Sequence, residues 1–370
     1  MTRLAFVVPG LIGRPEDDPL VALSSPAFEA LSRSGVVRKV EPLGSPVTPE
    51  WAYLGQDPSR YPVEGGPLLI SAMRVDPPER SVHFQMSLLA VEDGRVRIEP
   101  EPPSAAEARV IAAQVERLAG GGLTPLWWHG LDHGLVWESG SLDLAVTSPE
   151  DASGAEVAKV LPEGDGESLL RRFIDDSVNL LSELELNRIR IEEGKTPLNL
   201  LWPWGFGFRP SVPNLALRRG EIRRIESTSW RTQGLARLAG EYHGDRNGLV
   251  KGVHPDWSAW RERLTEGGST VMIVDELAEM RRAGRLDELE YTVGAWAAAF
   301  LDDLAIEQDR APRRISIIAP GPDGNPGLSL SIDPAQGLAS GSIPFDERAF
   351  DDRRVPAWRI WEAVEAGLTP

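Results

Sequence analysis

Residues 187–210 constrain the chain more tightly than any other stretch. They read Asn-Arg-Ile-Arg-Ile-Glu-Glu-Gly-Lys-Thr-Pro-Leu-Asn-Leu-Leu-Trp-Pro-Trp-Gly-Phe-Gly-Phe-Arg-Pro, passing from a charged helical pattern to an apolar run and then to a glycine-rich turn. Gly194 followed by Pro197 is a helix stop, since glycine accepts the left-handed conformation that closes a helix and proline cannot continue one. The amphipathic pattern over 169–193 is therefore expected to form one long helix ending there. Residues 198–202 then read as a short buried strand. Pro203 has no N–H to give to a sheet and is expected to end it. Trp204-Gly205-Phe206-Gly207 follows as a loop whose glycines permit positive φ or close approach by another group.

Three global properties narrow the possibilities. The chain has 370 residues, enough for a large core and about two domains. It has no cysteine, which removes disulfides, thiolate metal sites and a thiol nucleophile together. Its formal net charge is −17, with a sequence pI near 4.9, which repels phosphate backbones and anionic lipid head groups. Nucleic acid and membrane are thus not expected partners, and a small anionic ligand requires a local basic pocket. No run of about 18 apolar residues occurs, and Met1-Thr2-Arg3 leads directly into strand-like sequence without a cleavable signal. A soluble, cytoplasmic protein is expected.

Along the chain, continuous apolar runs at 4–8, 270–274 and 315–318 read as strands buried on both faces, as in a parallel sheet. Strands are also expected at 36–43 and 222–225, with helices at 26–34 and 233–238. Leu286, Leu289, Val293, Trp296, Phe300 and Leu304 recur at spacings of three and four, the apolar stripe of a core-facing helix. Between about 70 and 166 the pattern changes. Alternation over 83–88 and 141–146 suggests strands with one exposed face. Ser104 and Glu107 form a capping box ahead of a helix with Val110, Ile111, Val115 and Leu118 on one side. The fold class is α/β, a mostly parallel sheet flanked by helices, with a core of 1–70 and 167–370 interrupted by an α+β cap of 71–166.

The stretch 187–207 carries the pattern N-x-x-R-x-x-x-G-x-x-P-x-N-x-x-W-x-W-G-x-G. With Val7-Val8-Pro9-Gly10-Leu11-Ile12-Gly13-Arg14-Pro15, Leu54-Gly55-Gln56-Asp57-Pro58 and Gly234-Leu235-Ala236-Arg237-Leu238-Ala239-Gly240, it resembles the archaeal-type cofactor-independent phosphoglycerate mutases of the alkaline phosphatase superfamily. The resemblance implies an alkaline-phosphatase-like core with an inserted cap. It also implies a Ser or Thr nucleophile between two divalent metals, which stabilise the attacking and leaving oxygens of phosphoryl transfer. At those positions the chain departs from the pattern. Pro9 stands where the family has a metal-binding Asp. Ungapped counting from Gly55 puts Pro46 at the nucleophile and Glu50 at a histidine, so Ser45 or Thr48 can serve as nucleophile only if the loop shifts. Ala278-Glu279-Met280-Arg281-Arg282 stands for Asp-Glu-Ala-Gly-His, and Pro320-Gly321-Pro322 for a late Asp-His pair. Asp323 nearby fits an ordinary turn.

Other motifs add little. His83, His129, His133, His243 and His254 lie away from the metal motifs. His129 and His133 have helical ligand spacing, but Gly130 and their β-like surroundings oppose a helix. Gly205-Phe206-Gly207 is not a dinucleotide fingerprint, because Pro210 occupies the third glycine position. What remains is a metal-free pocket for a small anion, framed by Arg14, Trp204, Gly205, Gly207, Arg209, Arg281 and Arg282; equally, these arginines are solvated or paired with some of the 56 acids. The reading is a catalytically degenerate, ligand-binding or regulatory pseudoenzyme with no cofactor, whose partner is a small anion or a protein. Its alternative is an active mutase or phosphatase with displaced site residues and divalent metal. A third possibility is metal-independent acid/base work by Asp275 or Glu276.

Overall fold

A computed structural model describes residues 3–11, 35–43, 48–98, 100–244, 249–251, 254–262, 268–301, 314–321, 327–332 and 357–368. The helix expected at 26–34 lies outside these residues, as do Arg14, Ser45 and Asp323. The chain forms two compact units, Met1–Pro62 with Val212–Pro370, and Val63–Ser211. The first begins with β1 (Arg3–Val7), β2 (Val36–Val40) and the short helix α1 (Glu50–Tyr53).

The inserted unit contains α2 (Gly65–Ala72), β3 (Ser81–Glu92), β4 (Arg95–Arg97), α3 (Ala105–Val115), β5 (Leu123–His129), β6 (Asp132–Glu138), α4 (Glu167–Ser182), α5 (Glu185–Glu192) and β7 (Leu200–Phe208). Its antiparallel sheet is centred on β3, which pairs with β4, β6 and β7. Alternation along β3 sends Val82, Phe84, Met86 and Leu88 into an apolar cluster with Ile111, Leu170, Phe173 and Leu201. The opposite face carries Ser81, His83, Gln85 and Ser87, and all four are also buried. Helix α2 is close by: a Cβ on Gly66 would fall 2.2 Å from the His83 carbonyl oxygen. The capping box forms as expected, with the Glu107 N–H donating to Ser104 Oγ at 3.3 Å and the Ser104 N–H to Glu107 Oε2 at 2.7 Å. Val110 is 46% exposed, however, so the buried stripe of α3 is Ile111 and Val115.

Residues 63–70 and 167–211 make up the difference between these units and the boundaries suggested by the sequence pattern. Leu170, Phe173, Leu181, Leu198 and Leu201 all join the cluster built on β3, so α4, α5 and β7 pack in the inserted unit. The expected single helix is broken at Leu184, whose backbone is extended. Asn187 stitches the break: its Nδ2 donates to the carbonyls of Leu181 and Leu198, and the Leu198 N–H donates to its Oδ1. Gly194 ends α5 at φ +74°, as expected. Strand β7, by contrast, runs through Pro203 and both glycines. It tolerates the proline because its only pairing among the described residues is with β3, so the side lacking an N–H has no ladder bond to lose. The ladder shifts register between His83 and Gln85, where Gly205 takes φ +54°.

The core resumes with α6 (Leu215–Arg219), β8 (Arg224–Ser227), α7 (Trp230–Leu238), β9 (Tyr242–His243), β10 (Ser269–Ile273), α8 (Glu276–Arg282), α9 (Leu286–Trp296), β11 (Arg314–Ala319), β12 (Gly327–Ile332), β13 (Ala357–Trp358) and α10 (Ile360–Leu368). Its eight strands lie in the order β9-β8-β10-β1-β11-β12-β2-β13, and only β12 runs against the others. The central strands are mostly apolar because both faces are covered. On one face Leu4, Phe6, Met272, Ile315 and Ile317 pack with Leu289, Val293 and Trp296 of α9. Phe6 meets Trp296 edge-on, ring centroids 5.8 Å apart. Elsewhere a Cβ on Gly367 would lie 2.4 Å from Ser316 Oγ, so α10 packs against β11. Leu286, the first residue of the expected stripe, is exposed; Leu304 lies outside the described residues.

Candidate functional site

Strands β1, β8, β10 and β11 run parallel, so their carboxyl ends share one edge of the sheet, the edge where open α/β sheets bind ligands. After β1, Val8 extends the ladder by donating to the Ile318 carbonyl at 2.8 Å, and Pro9-Gly10 turns the chain away. Gly10 sits at φ +82°, and a Cβ there would fall 2.5 Å from the Ala278 nitrogen, so α8 passes directly against this turn. Arg281 of α8 donates through Nε to the Gly10 carbonyl at 2.9 Å. The arginine singled out in the sequence thus holds the β1 turn.

The residues after β8 and β10 form the polar centre of this edge. Ser227 Oγ donates to Asp275 Oδ2 at 3.0 Å and accepts the Ser229 N–H at 3.0 Å. Thr228 Oγ1 donates to Glu276 Oε1. Gln233 of α7 donates to the Ser227 carbonyl at 2.6 Å, which fixes the loop against its helix. Arg231, on the first turn of α7, donates through Nε to Glu50 Oε1 at 2.7 Å, joining α7 to α1. Burial, followed by the nearby charges of Asp275 and Glu50, pushes the Tyr53 hydroxyl up, so it stays protonated and can donate a hydrogen bond. Thr48, the candidate nucleophile within the described residues, is buried just before α1, its carbonyl accepting the Trp51 N–H at 3.1 Å.

Hard divalent cations need converging carboxylates or imidazoles with free lone pairs. Pro9 offers no side-chain donor atom. Asp275 and Glu276 accept from protein hydroxyls, and Glu50 accepts from a guanidinium. Among the described residues no group of three or more His, Cys, Asp or Glu could hold a metal ion. These residues do not fit a metal pair. Beyond β10 come Val274, Asp275 and Glu276, the last opening α8, so two adjacent carboxylates stand at this strand end.

The other sequence candidates belong to different places. Trp204, Gly205, Gly207 and Arg209 lie on or just beyond β7 in the inserted unit, whereas Arg281 and Arg282 lie on α8 of the core. Trp204 Nε1 donates to Ser87 Oγ at 2.9 Å, and exposed Arg209 pairs with Asp76 at 3.4 Å. Gly207 is not at positive φ; a Cβ there would make ordinary 3.5 Å contacts with Glu64 and Pro67. His129 and His133 flank a β-hairpin turn at Gly130 rather than sharing a helix. His133 is buried, stacked on Trp127 at 3.8 Å, and its Nδ1 accepts the Trp128 N–H at 3.0 Å. Ser227, Thr228, Arg231 and Tyr53 were not visible as site residues in the sequence. The available signal was Ser227-Thr228-Ser229 placed between a buried strand and a helix.

No family model matches the chain. It is 28% identical over 233 residues to a probable 2,3-bisphosphoglycerate-independent phosphoglycerate mutase of Geobacter sulfurreducens, covering 60% of this chain and 58% of the relative. It is also 28% identical over 202 residues to the 2,3-bisphosphoglycerate-independent phosphoglycerate mutase of Methanothrix thermoacetophila, covering 53% and 51%. The matches therefore span little more than half the length of these relatives. A cofactor-independent phosphoglycerate mutase structure from Thermoplasma acidophilum superposes with a TM-score of 0.64 at 17% identity, covering 99% of this chain and 98% of the other. A Pyrococcus horikoshii protein superposes with a TM-score of 0.68 at 14% identity, covering 99% and 96%. At such identity the structures speak to fold alone. The chain is thus similar in sequence to phosphoglycerate mutases over part of its length, and it shares the mixed α/β fold of the solved mutase structure.

Proposed function

We propose that this protein keeps the mutase-like fold but has given up phosphoryl transfer, and acts as a binding or regulatory protein for a small anionic ligand or a protein partner. The observation that carries this reading is Arg281 bound to the Gly10 carbonyl. A guanidinium braces the turn after β1, beside Pro9, where the resembling family has a metal carboxylate. One oxygen of each neighbouring carboxylate accepts from Ser227, Thr228 or Arg231, and among the described residues no three acidic or imidazole groups converge to hold a metal. Phosphoryl transfer through two metals needs such a cluster.

One observation favours the alternative of an active mutase or phosphatase: Asp275 and Glu276 stand side by side one residue beyond β10. Purified protein supplied with Mn²⁺ or Mg²⁺ and 3-phosphoglycerate separates the readings. The proposal expects no 2-phosphoglycerate, no tightly held metal after dialysis, and a melting temperature that rises with the phosphoglycerate or another small anion. Turnover that disappears in Asp275→Asn or Thr48→Ala overturns it.

A further inference from the structure

Helix α2 opens on Gly65-Gly66-Pro67, and no side chain caps it, although Glu64 stands at the N-cap position. Proline has no N–H, so the donors at this helix end are those of Gly65 and Gly66. Both residues are buried, and neither N–H meets an acceptor among the described residues. Such an end is completed by a group that accepts hydrogen bonds, and the helix dipole favours a negatively charged one.

The bulge of β7 lies against these donors. Where the β3–β7 ladder shifts register, a Cβ on Gly205 would meet nothing nearer than 3.4 Å, so its bare Cα leaves a recess. That one point is 3.4 Å from Gln85 Oε1 and 3.9 Å from the Gly65 nitrogen. Gln85 is 5% exposed, and its Oε1 has no hydrogen-bond partner. A buried amide oxygen without a partner is as incomplete as the helix end beside it. Turned about its last torsion, the Gln85 amide presents Nε2 at the same place and adds a third donor. Trp204, Gly205 and Phe206 are each part-exposed, so solvent reaches this turn. Arg209, just beyond β7, pairs with Asp76 at 3.4 Å, and both are exposed. Glu64 competes with a bound anion: it is exposed, and a Cβ on Gly207 would lie 3.5 Å from its Cβ and Cγ.

We propose that this recess binds a small carboxylate, one oxygen accepting from Gly65 and Gly66 and the other from Gln85 Nε2. A planar group with two oxygens serves donors on either side of one point, and its single charge is opposed less by Glu64 than a phosphate dianion is. This site rests on the anion-binding reading given above and lies within the inserted unit, framed by Trp204 and Gly205.

Full-length protein labelled with ¹⁵N-glycine and ¹⁵N-glutamine is titrated with sodium propionate at constant ionic strength. Saturable shifts of the Gly65 and Gly66 amides and of the Gln85 side-chain amide are expected, with inorganic phosphate binding less tightly. Gln85→Glu, which keeps the shape and adds a charge, should weaken propionate binding about tenfold, or about 1.4 kcal/mol. Glu64→Gln, at an exposed position, should tighten it about threefold, and it serves as the test if Gln85→Glu fails to fold by circular dichroism. Glycine amides that do not move, or an affinity unchanged in Glu64→Gln, overturn the proposal. If 3-phosphoglycerate raises the melting temperature while these amides stay still, the ligand lies elsewhere: this site is refuted and the anion-binding reading stands.

Discussion

Glu365→Ala should be among the most damaging single changes to the core, although Glu365 lies outside the candidate site. The C-terminal helix α10 carries this carboxylate to Arg223, which donates from its two terminal nitrogens at 2.6 and 2.9 Å. Arg223 is 3% exposed and Glu365 31% exposed, so the guanidinium is the deeply buried partner. Arg219 lies 3.6 Å from the same carboxylate. Burial, reinforced by repulsion from Arg223, already pulls the Arg219 guanidinium down to about 10. Removing the carboxylate leaves two neighbouring guanidinium groups without one of the charges that offset them.

Breaking a buried pair from one side costs about 3–5 kcal/mol, and the partial exposure of Glu365 lowers the expectation here to about 2–4 kcal/mol. Chemical denaturation followed by tryptophan fluorescence and circular dichroism measures the loss, provided both probes report one core transition. Removing both charges, as in Arg223→Met with Glu365→Leu, should recover most of it, because the uncompensated buried charge is the main penalty. A loss below about 0.5 kcal/mol for Glu365→Ala, in the range of an ordinary surface substitution, would refute the reasoning.

The inserted unit should lose stability on acidification through His83, which is 3% exposed. Burial first, and then Arg209, pull its imidazole down from 6.5 to about 4. Between those values the unfolded chain holds a proton that the folded chain does not, so stability rises with pH across the window, by about 2.5 × 1.36, or roughly 3 kcal/mol in all. Denaturation midpoints at pH 4.5 and 7 check this, and His83→Gln should flatten the difference. Gly205→Val should cost about 1–3 kcal/mol because φ is +54°, whereas Gly207→Val should cost less, and equal losses in thermal unfolding would count against the assignment. Arg281→Gln should destabilise by about 1.5–3 kcal/mol through loss of its bond to Gly10, and equally so with or without a chelator; protection of the wild type by Mn²⁺ would instead indicate a metal at this edge.

Much of the fold was legible because it depends on local chemistry. Interior strands β1, β10 and β11 appear as apolar runs because burial on both faces leaves no room for alternation. The stop at Gly194 and the cap at Ser104 likewise rest on neighbouring residues. What escaped depends on partners distant in sequence. Pro203 is harmless only because β7 lies at an edge, which pairing decides rather than composition. The break between α4 and α5 is invisible without Leu198, the far anchor of Asn187. Residues 167–211 join the inserted unit because their leucines meet β3, about a hundred positions earlier in the chain. The site was harder still: Ser227 gains its meaning only beside Asp275, 48 residues away.

Under the proposed loss of phosphoryl transfer, that last pairing bears on how the fold persists. The carboxyl edge of a parallel sheet gathers strand-end loops and acidic side chains that repel one another unless something neutralises them. In a metalloenzyme the cations do this, so deleting ligands one at a time should leave buried charge behind. Under the proposed reading, protein donors serve instead. Arg231 ties α7 to α1 through Glu50, Ser227 and Thr228 tie the loop after β8 to the loop after β10, and Arg281 ties α8 to the turn after β1. Arg231 offsets the charge of Glu50 while the hydroxyls and Arg281 hold the loops, and under the proposed reading a chain with these bonds could lose its metal ligands without losing its fold.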